Sequence, residues 1–170
     1  GGGALGRGLE AFAAFPDLSL PPGVVVFPGS FNPLHHGHAG AARAVLMELG
    51  WSGEGPSPPV LFEMAAVNPD KPSLDEEEMI RRVRQFHVEQ SPALAAAGLD
   101  NVGVAVTSVP LYADKAKLFP GAVFVVGIDT YVRIVNPRYY NNDPLEMVAA
   151  VSRLASHGCR VVVAGRRPPG

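Results

Sequence analysis

Five short apolar runs, separated by segments with helical spacing, are the feature that most constrains the fold of this chain. The runs are rich in valine and occupy residues 24–27, 60–66, 102–107, 122–126 and 160–164. Continuous apolar runs are typical of strands that are buried on both faces of a sheet. Because predicted strands and helices alternate along the chain, the sequence predicts an α/β domain with a parallel sheet and right-handed crossovers.

The segments between the apolar runs predict the helices that connect the strands. These helices include residues 38–49, 73–90, 113–118 and 144–156. The second one opens with Ser73-Leu74-Asp75-Glu76, which has the form of a capping box. Its acidic first turn also suits the positive end of a helix dipole.

The charge balance limits the classes of partner that the chain is expected to bind. The 170 residues carry a net charge of −2, and their lysines and arginines are spread along the chain. This pattern argues against a broad nucleic-acid-binding surface, but it permits a local site for a small anion. No apolar run approaches the roughly 18 residues of a membrane span. We therefore expect neither a nucleic acid nor a membrane as partner.

The chain has a single cysteine, Cys159, so it cannot form an internal disulfide. A chain without disulfides fits a reducing, intracellular compartment, either cytoplasmic or organellar. Cys159 stands just before an apolar run. We expect its thiol to be buried and unreactive.

Two regions differ in composition. Residues 1–22 combine GGGALGRGLEAFAAF, which has an apolar face but not the layout of a signal peptide, with a proline-containing tail. We interpret them as an N-terminal helix and linker that belong to an upstream region. Residues 23–170 form the predicted folded domain.

The stretch FPGSFNPLHHGH, residues 27–38, lies between the first predicted strand and the first predicted helix. Gly29 allows a sharp turn and close approach of backbone N–H groups to a ligand, and Gly37 removes a side chain at the start of the helix. His35 and His38 share one face of the first helical turn, where free N–H groups favour anions. Since ligands of parallel sheets bind at the carboxyl ends of strands, the stretch predicts a polyphosphate site.

Each of these residues also has an alternative interpretation in which it binds no ligand. A histidine at a helix start is often only a cap or a surface residue, and zinc would need a third ligand that no convincing spacing supplies. Asp129 fits a helix cap equally well. Lys71 fits a solvated loop, and Arg81, Arg82 and Arg84 fit a solvated helix face.

At these residues the chain resembles a known family. GSFNPLHHGH is similar to the G-x-F-x-P-x-H-x-G-H signature of the nucleotidylyltransferase superfamily, and the resemblance extends over residues 24–167. Within the superfamily the chain is most similar to nicotinamide or nicotinate mononucleotide adenylyltransferases. The resemblance implies a Rossmann-like, doubly wound sheet of five parallel strands in the order 3-2-1-4-5, within three α/β/α layers.

The resemblance also implies an activity and a set of site residues. The reaction is transfer of the adenylyl group of ATP to nicotinamide or nicotinate mononucleotide, with release of pyrophosphate, in NAD biosynthesis. Mg²⁺ accompanies ATP and is held mostly by ATP and water, with no metal ligand from the protein. His35 and His38 are the implied catalytic residues, and Lys71, in a segment NPDKP that resembles a family loop, lies near substrate phosphate. The implied nucleotide-binding residues are Gly29, Ser30, Phe31, Asn32, Gly37, Gly127 and Asp129.

One family motif is missing from the sequence. The I-S-S-T-x-x-R segment that binds the triphosphate in the family would follow the fifth strand, and the 170 residues do not contain it. We therefore expect that the chain is truncated before this motif.

Two alternative functions remain. One is an adenylyltransferase with another acceptor, such as phosphopantetheine, and the other is a nucleotide-binding module without catalysis. Cytidylyl transfer is less favoured, because the R-T-x-G-I-S-T-S signature of that branch is absent. The oligomeric state stays open, with a homo-oligomer among the options.

Overall fold

The computed structural model describes residues 23–65, 75–87, 91–109 and 111–165. Five strands form one sheet in the order β3-β2-β1-β4-β5, and every neighbouring pair is parallel. The predicted strand order is therefore confirmed. The strands are β1 (Val25–Pro28), β2 (Val60–Ala65), β3 (Val102–Thr107), β4 (Val123–Val126) and β5 (Arg160–Val163).

Six α-helices within the described residues connect or flank these strands. They are α1 (His36–Glu48), α2 (Glu76–Arg84), α3 (Pro92–Ala96), α4 (Tyr112–Leu118), α5 (Ile128–Val135) and α6 (Pro144–Ser156), and a short 3₁₀ helix (Pro137–Tyr139) lies between the last two. Asp143 caps α6 by accepting a hydrogen bond from the Leu145 N–H, and Pro144 fills its first position. This start agrees with the sequence pattern.

Alternate residues of the central strands send their side chains to opposite faces of the sheet. Val25 and Phe62 pack on the face covered by α1 and α3, together with Leu46 and Leu94. The opposite face holds a second core, formed by Val24, Val26, Leu61 and Phe124 with Phe119, Ile134 and Leu154. The central strands are buried on both faces, which explains their continuous apolar sequences. The result is the predicted three-layer α/β/α, Rossmann-like fold.

The helix predicted over residues 73–90 is shorter than expected. Asp75 is its N-cap and accepts a hydrogen bond from the Glu78 N–H at 2.8 Å, while Ser73 lies outside the described residues. The helix ends at Arg84, because the chain turns there and carries Phe86 into the core. Helix α3 follows and was not predicted from the sequence; Ser91 is its N-cap.

Two other expectations have different outcomes. Cys159 is buried, as predicted, and its Sγ lies 3.3 Å from the Phe119 carbonyl oxygen. The predicted helix and linker of residues 1–22 lie outside the described residues. Among the helices that the structure describes, none is both long enough and apolar enough to cross a membrane.

A charged pair is buried in the second core. Glu63, on β2, is fully buried, and its Oε1 accepts hydrogen bonds from Thr107 Oγ1 and, at 2.6 Å, from Lys115 Nζ. Its Oε2 has no partner among the described residues. Burial and, to a lesser extent, the negative charge of the nearby Glu63 carboxylate raise the pKa of the Tyr112 hydroxyl. Two charges removed from water stabilise a fold only as a pair, because either one alone keeps its desolvation penalty.

This pairing predicts the stability of two variants. Lys115→Met leaves the Glu63 carboxylate buried without its cation, so the free energy of unfolding should fall by about 3–5 kcal/mol. The double variant Glu63→Leu/Lys115→Met removes both charges and should recover at least about 2 kcal/mol of that loss. Urea denaturation measures both. A double variant no more stable than Lys115→Met would contradict this account.

Candidate functional site

The stretch singled out in the sequence lies where the sheet changes winding direction. Strand β1 pairs with both β2 and β4, and the helices that follow β1 and β4 cover opposite faces of the sheet. The carboxyl ends of these two neighbouring strands therefore flank a crevice, the usual ligand site of doubly wound folds. The Gly29 N–H donates to the Glu63 carbonyl at 2.9 Å, which ties the loop after β1 to β2.

Two histidines cap helix α1 reciprocally. His35 is the N-cap, and its Nδ1 accepts hydrogen bonds from the N–H groups of Gly37, at 3.0 Å, and His38, at 3.3 Å. In return, His38 Nδ1 accepts from the His35 N–H at 3.1 Å. This is the geometry of a capping box, with two imidazoles in place of the usual hydroxyl and carboxylate.

The reciprocal cap fixes the tautomer of both neutral rings. An imidazole nitrogen that accepts a hydrogen bond carries no proton, so in the neutral ring the proton is on the other nitrogen. We assign the Nε2–H tautomer to His35 and His38 from these hydrogen bonds. The two rings therefore offer two N–H donors, beyond those of the helix backbone.

The two rings stack against each other. Their centroids are 3.7 Å apart and their planes differ by 18°. Burial and, to a lesser extent, electrostatic repulsion from His35 lower the pKa of His38 below its ordinary 6.5. A neutral His38 at neutral pH keeps its Nδ1 free to accept the capping hydrogen bond.

The two glycines of the stretch make room for specific rings. A Cβ atom on Gly37 would lie 2.8 Å from His35 Cε1, and a Cβ on Gly29 would lie 2.9 Å from Phe31 Cζ. Contacts this short are not tolerated, so a side chain at either position would displace a ring. Glycine at position 37 is therefore a requirement of the His35 ring position.

Phe31 lies beneath the histidines. It is 2% exposed, and its ring makes edge contacts with His38, Phe62 and Phe86 at centroid distances of 5.0, 5.3 and 5.3 Å. Its φ of 46° is in the left-handed region, which costs a non-glycine residue about 1–2 kcal/mol. Because the ring is in the core, any contact of Phe31 with a ligand would be through its backbone.

Four of the remaining predicted residues lie at the surface around the crevice. Ser30 and Asn32 are exposed in the loop after β1. Gly127 is exposed, follows β4 directly and is the N-cap of α5, and Asp129 is exposed in the first turn of that helix. Because Gly127 is the N-cap of α5, Asp129 is not, and within the described residues no side chain makes a capping hydrogen bond to this helix. Lys71 lies outside the described residues.

Helix α2 and the residue after it make contacts with this loop that were not predicted from the sequence. Gln85 Nε2 donates to the Phe31 carbonyl at 2.6 Å, and Gln85 Oε1 accepts from the Leu34 N–H at 2.7 Å. Arg82 Nη1 donates to the Ser30 carbonyl at 3.3 Å, and Glu78 holds the Arg82 Nε at 2.8 Å. Arg82 was predicted to be solvated; the structure corrects this, because its side chain is 13% exposed.

Metal ligands were not predicted in the protein. Within the described ranges, no group of three or more His, Cys, Asp or Glu side chains is arranged to hold a metal ion.

A family model described as cytidylyltransferase-like matches residues 26–167, which is most of the chain and includes both histidines. The chain belongs to this family. It is thereby a member of the nucleotidyltransferase superfamily, and membership supports a nucleotidyltransferase activity in general. No curated protein matches the chain.

The contact between Gly37 and His35 predicts opposite effects for two glycines of α1. Gly37→Ala should lower the free energy of unfolding by about 1 kcal/mol or more, because it displaces the ring that caps the helix. Gly40→Ala is the matched control, since a Cβ at position 40 meets no atom of the described residues within 4 Å. It should raise stability by about 0.5–1 kcal/mol, as expected for a helix interior. Equal effects in urea denaturation would contradict the prediction.

The lowered pKa of His38 predicts a dependence of stability on pH. Between the folded pKa and 6.5 the unfolded chain binds more protons than the folded one, so stability falls as the pH decreases through this window. The slope for one proton is at most about 1.4 kcal/mol per pH unit. His38→Gln keeps an acceptor for the cap but does not titrate.

The measurement is the difference in unfolding free energy between the native protein and His38→Gln at pH 7.5 and pH 5.5. The native protein should lose its relative stability at the lower pH. A difference that is unchanged, or that grows on acidification, would show that the folded state does not depress this pKa.

Proposed function

We propose that this protein transfers the adenylyl group of ATP to nicotinamide mononucleotide or nicotinate mononucleotide and releases pyrophosphate, a step of NAD biosynthesis. The observation that carries the proposal is the stacked pair of His35 and His38 at the start of α1. The pair follows the loop after β1, beside the crevice between β1 and β4.

The chemistry of the pair suits a polyphosphate. Both rings accept at Nδ1, so both carry a proton on Nε2 that can be donated to a phosphate oxygen. The N-terminus of α1 adds a partial positive charge. A neutral donor stabilises charge that develops in the transition state without holding the product pyrophosphate as an ion pair.

The reaction needs no covalent intermediate. An oxygen of the mononucleotide phosphate attacks the α-phosphorus of ATP and forms the new P–O bond of a dinucleotide. The bond between the α-phosphorus and the α,β-bridging oxygen breaks, and its electrons leave with pyrophosphate. Since the attacking phosphate is already anionic, a general base is unnecessary, and positioning with charge stabilisation supplies the catalysis.

The other residues have proposed roles around this centre. ATP enters as its Mg²⁺ complex, with the metal held by the phosphates and water. Backbone N–H groups of Ser30 and Asn32 bind the phosphates, Gly29 and Gly127 permit close approach of the nucleotide, and Asp129 accepts from a ribose hydroxyl. Lys71 contacts the phosphate of the acceptor.

The choice of donor and acceptor is supported by sequence. GSFNPLHHGH and NPDKP resemble segments of mononucleotide adenylyltransferases. The matching family's description does not itself fix the nucleotide.

The test is pyrophosphate release by the full-length protein with Mg²⁺. ATP and CTP are compared as donors, each with nicotinamide mononucleotide, nicotinate mononucleotide and phosphopantetheine. We expect release with ATP and a mononucleotide. Release with CTP alone, or with phosphopantetheine alone, would replace the proposed substrates. ATP binding without release from any acceptor would contradict the enzyme proposal and favour a nucleotide-binding module.

Three histidine variants test the mechanism. His38→Ala should lower kcat by about 10²–10³-fold, the usual effect of removing one key transition-state donor. His36→Ala is the matched control, because His36 is exposed and is not part of the reciprocal cap; its kcat should stay within about twofold of normal. His35→Ser keeps an N-cap but lacks the imidazole, so it should retain stability and lose turnover. A normal kcat in His38→Ala would exclude this mechanism.

A further inference from the structure

A single side chain outside the signature stretch holds both the Phe31 carbonyl and the Leu34 N–H. Gln85 directly follows α2, more than fifty positions along the chain from Phe31. Its amide makes two short hydrogen bonds, at 2.6 and 2.7 Å, one as donor and one as acceptor. Both ends of the amide are used on one short segment of backbone. This is a specific clamp, since a hydrophobic or charged side chain of similar size could not make both bonds.

The clamped segment has an unusual backbone. Phe31 has a φ of 46°, a conformation that a bulky side chain rarely adopts without support. Such residues persist where the surrounding structure holds them in place, and they concentrate at functional sites. Gln85 bonds to the carbonyl of this same residue. Phe86, the next residue, packs edge-on against the Phe31 ring at 5.3 Å. Adjacent residues after α2 thus hold the Phe31 backbone and the Phe31 ring.

The Phe31 ring in turn contacts a proposed catalytic side chain. Its centroid is 5.0 Å from that of His38, with the planes at 76°, and His38 stacks on His35. Contacts therefore run without interruption from Gln85 to Phe31, and from Phe31 to the stacked imidazoles. A rotation of the Phe31 backbone would remove the surface against which His38 packs.

From this arrangement we infer that Gln85 is a positioning residue for the histidine pair. It holds the Phe31 backbone in the left-handed conformation and so fixes the ring that supports His38. Among the described residues Gln85 makes no hydrogen bond with either histidine, and it acts through Phe31. This inference rests on the proposed function for its effect on turnover, but its effect on His38 is independent of the reaction catalysed.

Two variants of Gln85 test its two hydrogen bonds, because one variant removes both bonds and the other removes only one. Gln85→Met keeps the length of the side chain and removes both hydrogen bonds. Gln85→Glu keeps the acceptor for the Leu34 N–H but loses the donor to the Phe31 carbonyl, so a carboxylate oxygen then faces a carbonyl oxygen. Arg84→Ala is the matched control, because Arg84 is an exposed residue at the end of α2.

The kinetic readout is pyrophosphate release by the full-length protein with ATP and the acceptor that it uses. Misplacing a group in an active site by about 1 Å costs up to roughly 10²-fold in rate. We therefore expect kcat to fall by about 10- to 100-fold in Gln85→Met and Gln85→Glu, with KM for the acceptor changed less than about threefold. Arg84→Ala should match the native protein. Equal losses in Arg84→Ala, or an unchanged kcat in both Gln85 variants, would overturn the inference.

The structural readout does not need activity. The ring current of Phe31, whose centroid lies 5.0 Å from that of His38, should shift the nuclear magnetic resonance signals of the His38 imidazole, which are assigned with His38→Gln. In both Gln85 variants these signals should move, while those of His157, at the end of α6, should not. Unmoved His38 signals in a folded variant would overturn the positioning role. If the native protein releases no pyrophosphate, the proposed function fails, and the His38 signals alone decide the role of Gln85.

Discussion

The reciprocal hydrogen bonds between His35 and His38 are the constraint on which the site depends. Each imidazole uses its Nδ1 to accept a backbone N–H of the other residue, so the helix start and the two rings form one unit. Through these bonds the same two side chains determine the helix cap, the ring tautomers and the proposed phosphate donors. Glycine at position 37 belongs to the same unit, since a side chain there would collide with the His35 ring.

This unit rests on support from both sides. Below it, Phe31 occupies the first core in a backbone conformation that its side chain disfavours, with Phe62 of β2 and Phe86 around its ring. Beside it, Gln85 and Arg82 bond to carbonyls of the loop after β1. On the other face of the sheet, the buried pair of Glu63 and Lys115 anchors β2, whose Glu63 carbonyl accepts the Gly29 N–H. The loop is thus held by bonds to β2 and to α2.

The sequence predicted the fold class, the strand order through a family resemblance, and the junction that holds the site. These features depend on local patterns: continuous apolar strands, helical spacing and a dense arrangement of glycine, proline and histidine. Gln85 escaped prediction because its partners are more than fifty positions away, and nothing in VRQF distinguishes it from a solvated glutamine. Glu63 is the only charged residue in the strand VLFEMA. A lone acid in an apolar strand indicates a buried partner, but the sequence does not identify that partner as Lys115. The end of α2 was misplaced, because the burial of Phe86 depends on the tertiary core.

The most direct measurement of the central claim is a two-bond proton–nitrogen correlation spectrum of the histidine side chains at pH 7.5, before and after addition of ATP with Mg²⁺. The account predicts that His35 and His38 both carry their proton on Nε2 in the free protein, and that both Nε2 signals shift when the nucleotide binds while that of His157 does not. A proton on Nδ1 of either ring, or Nε2 signals of the pair that do not shift when ATP binds, would contradict the account.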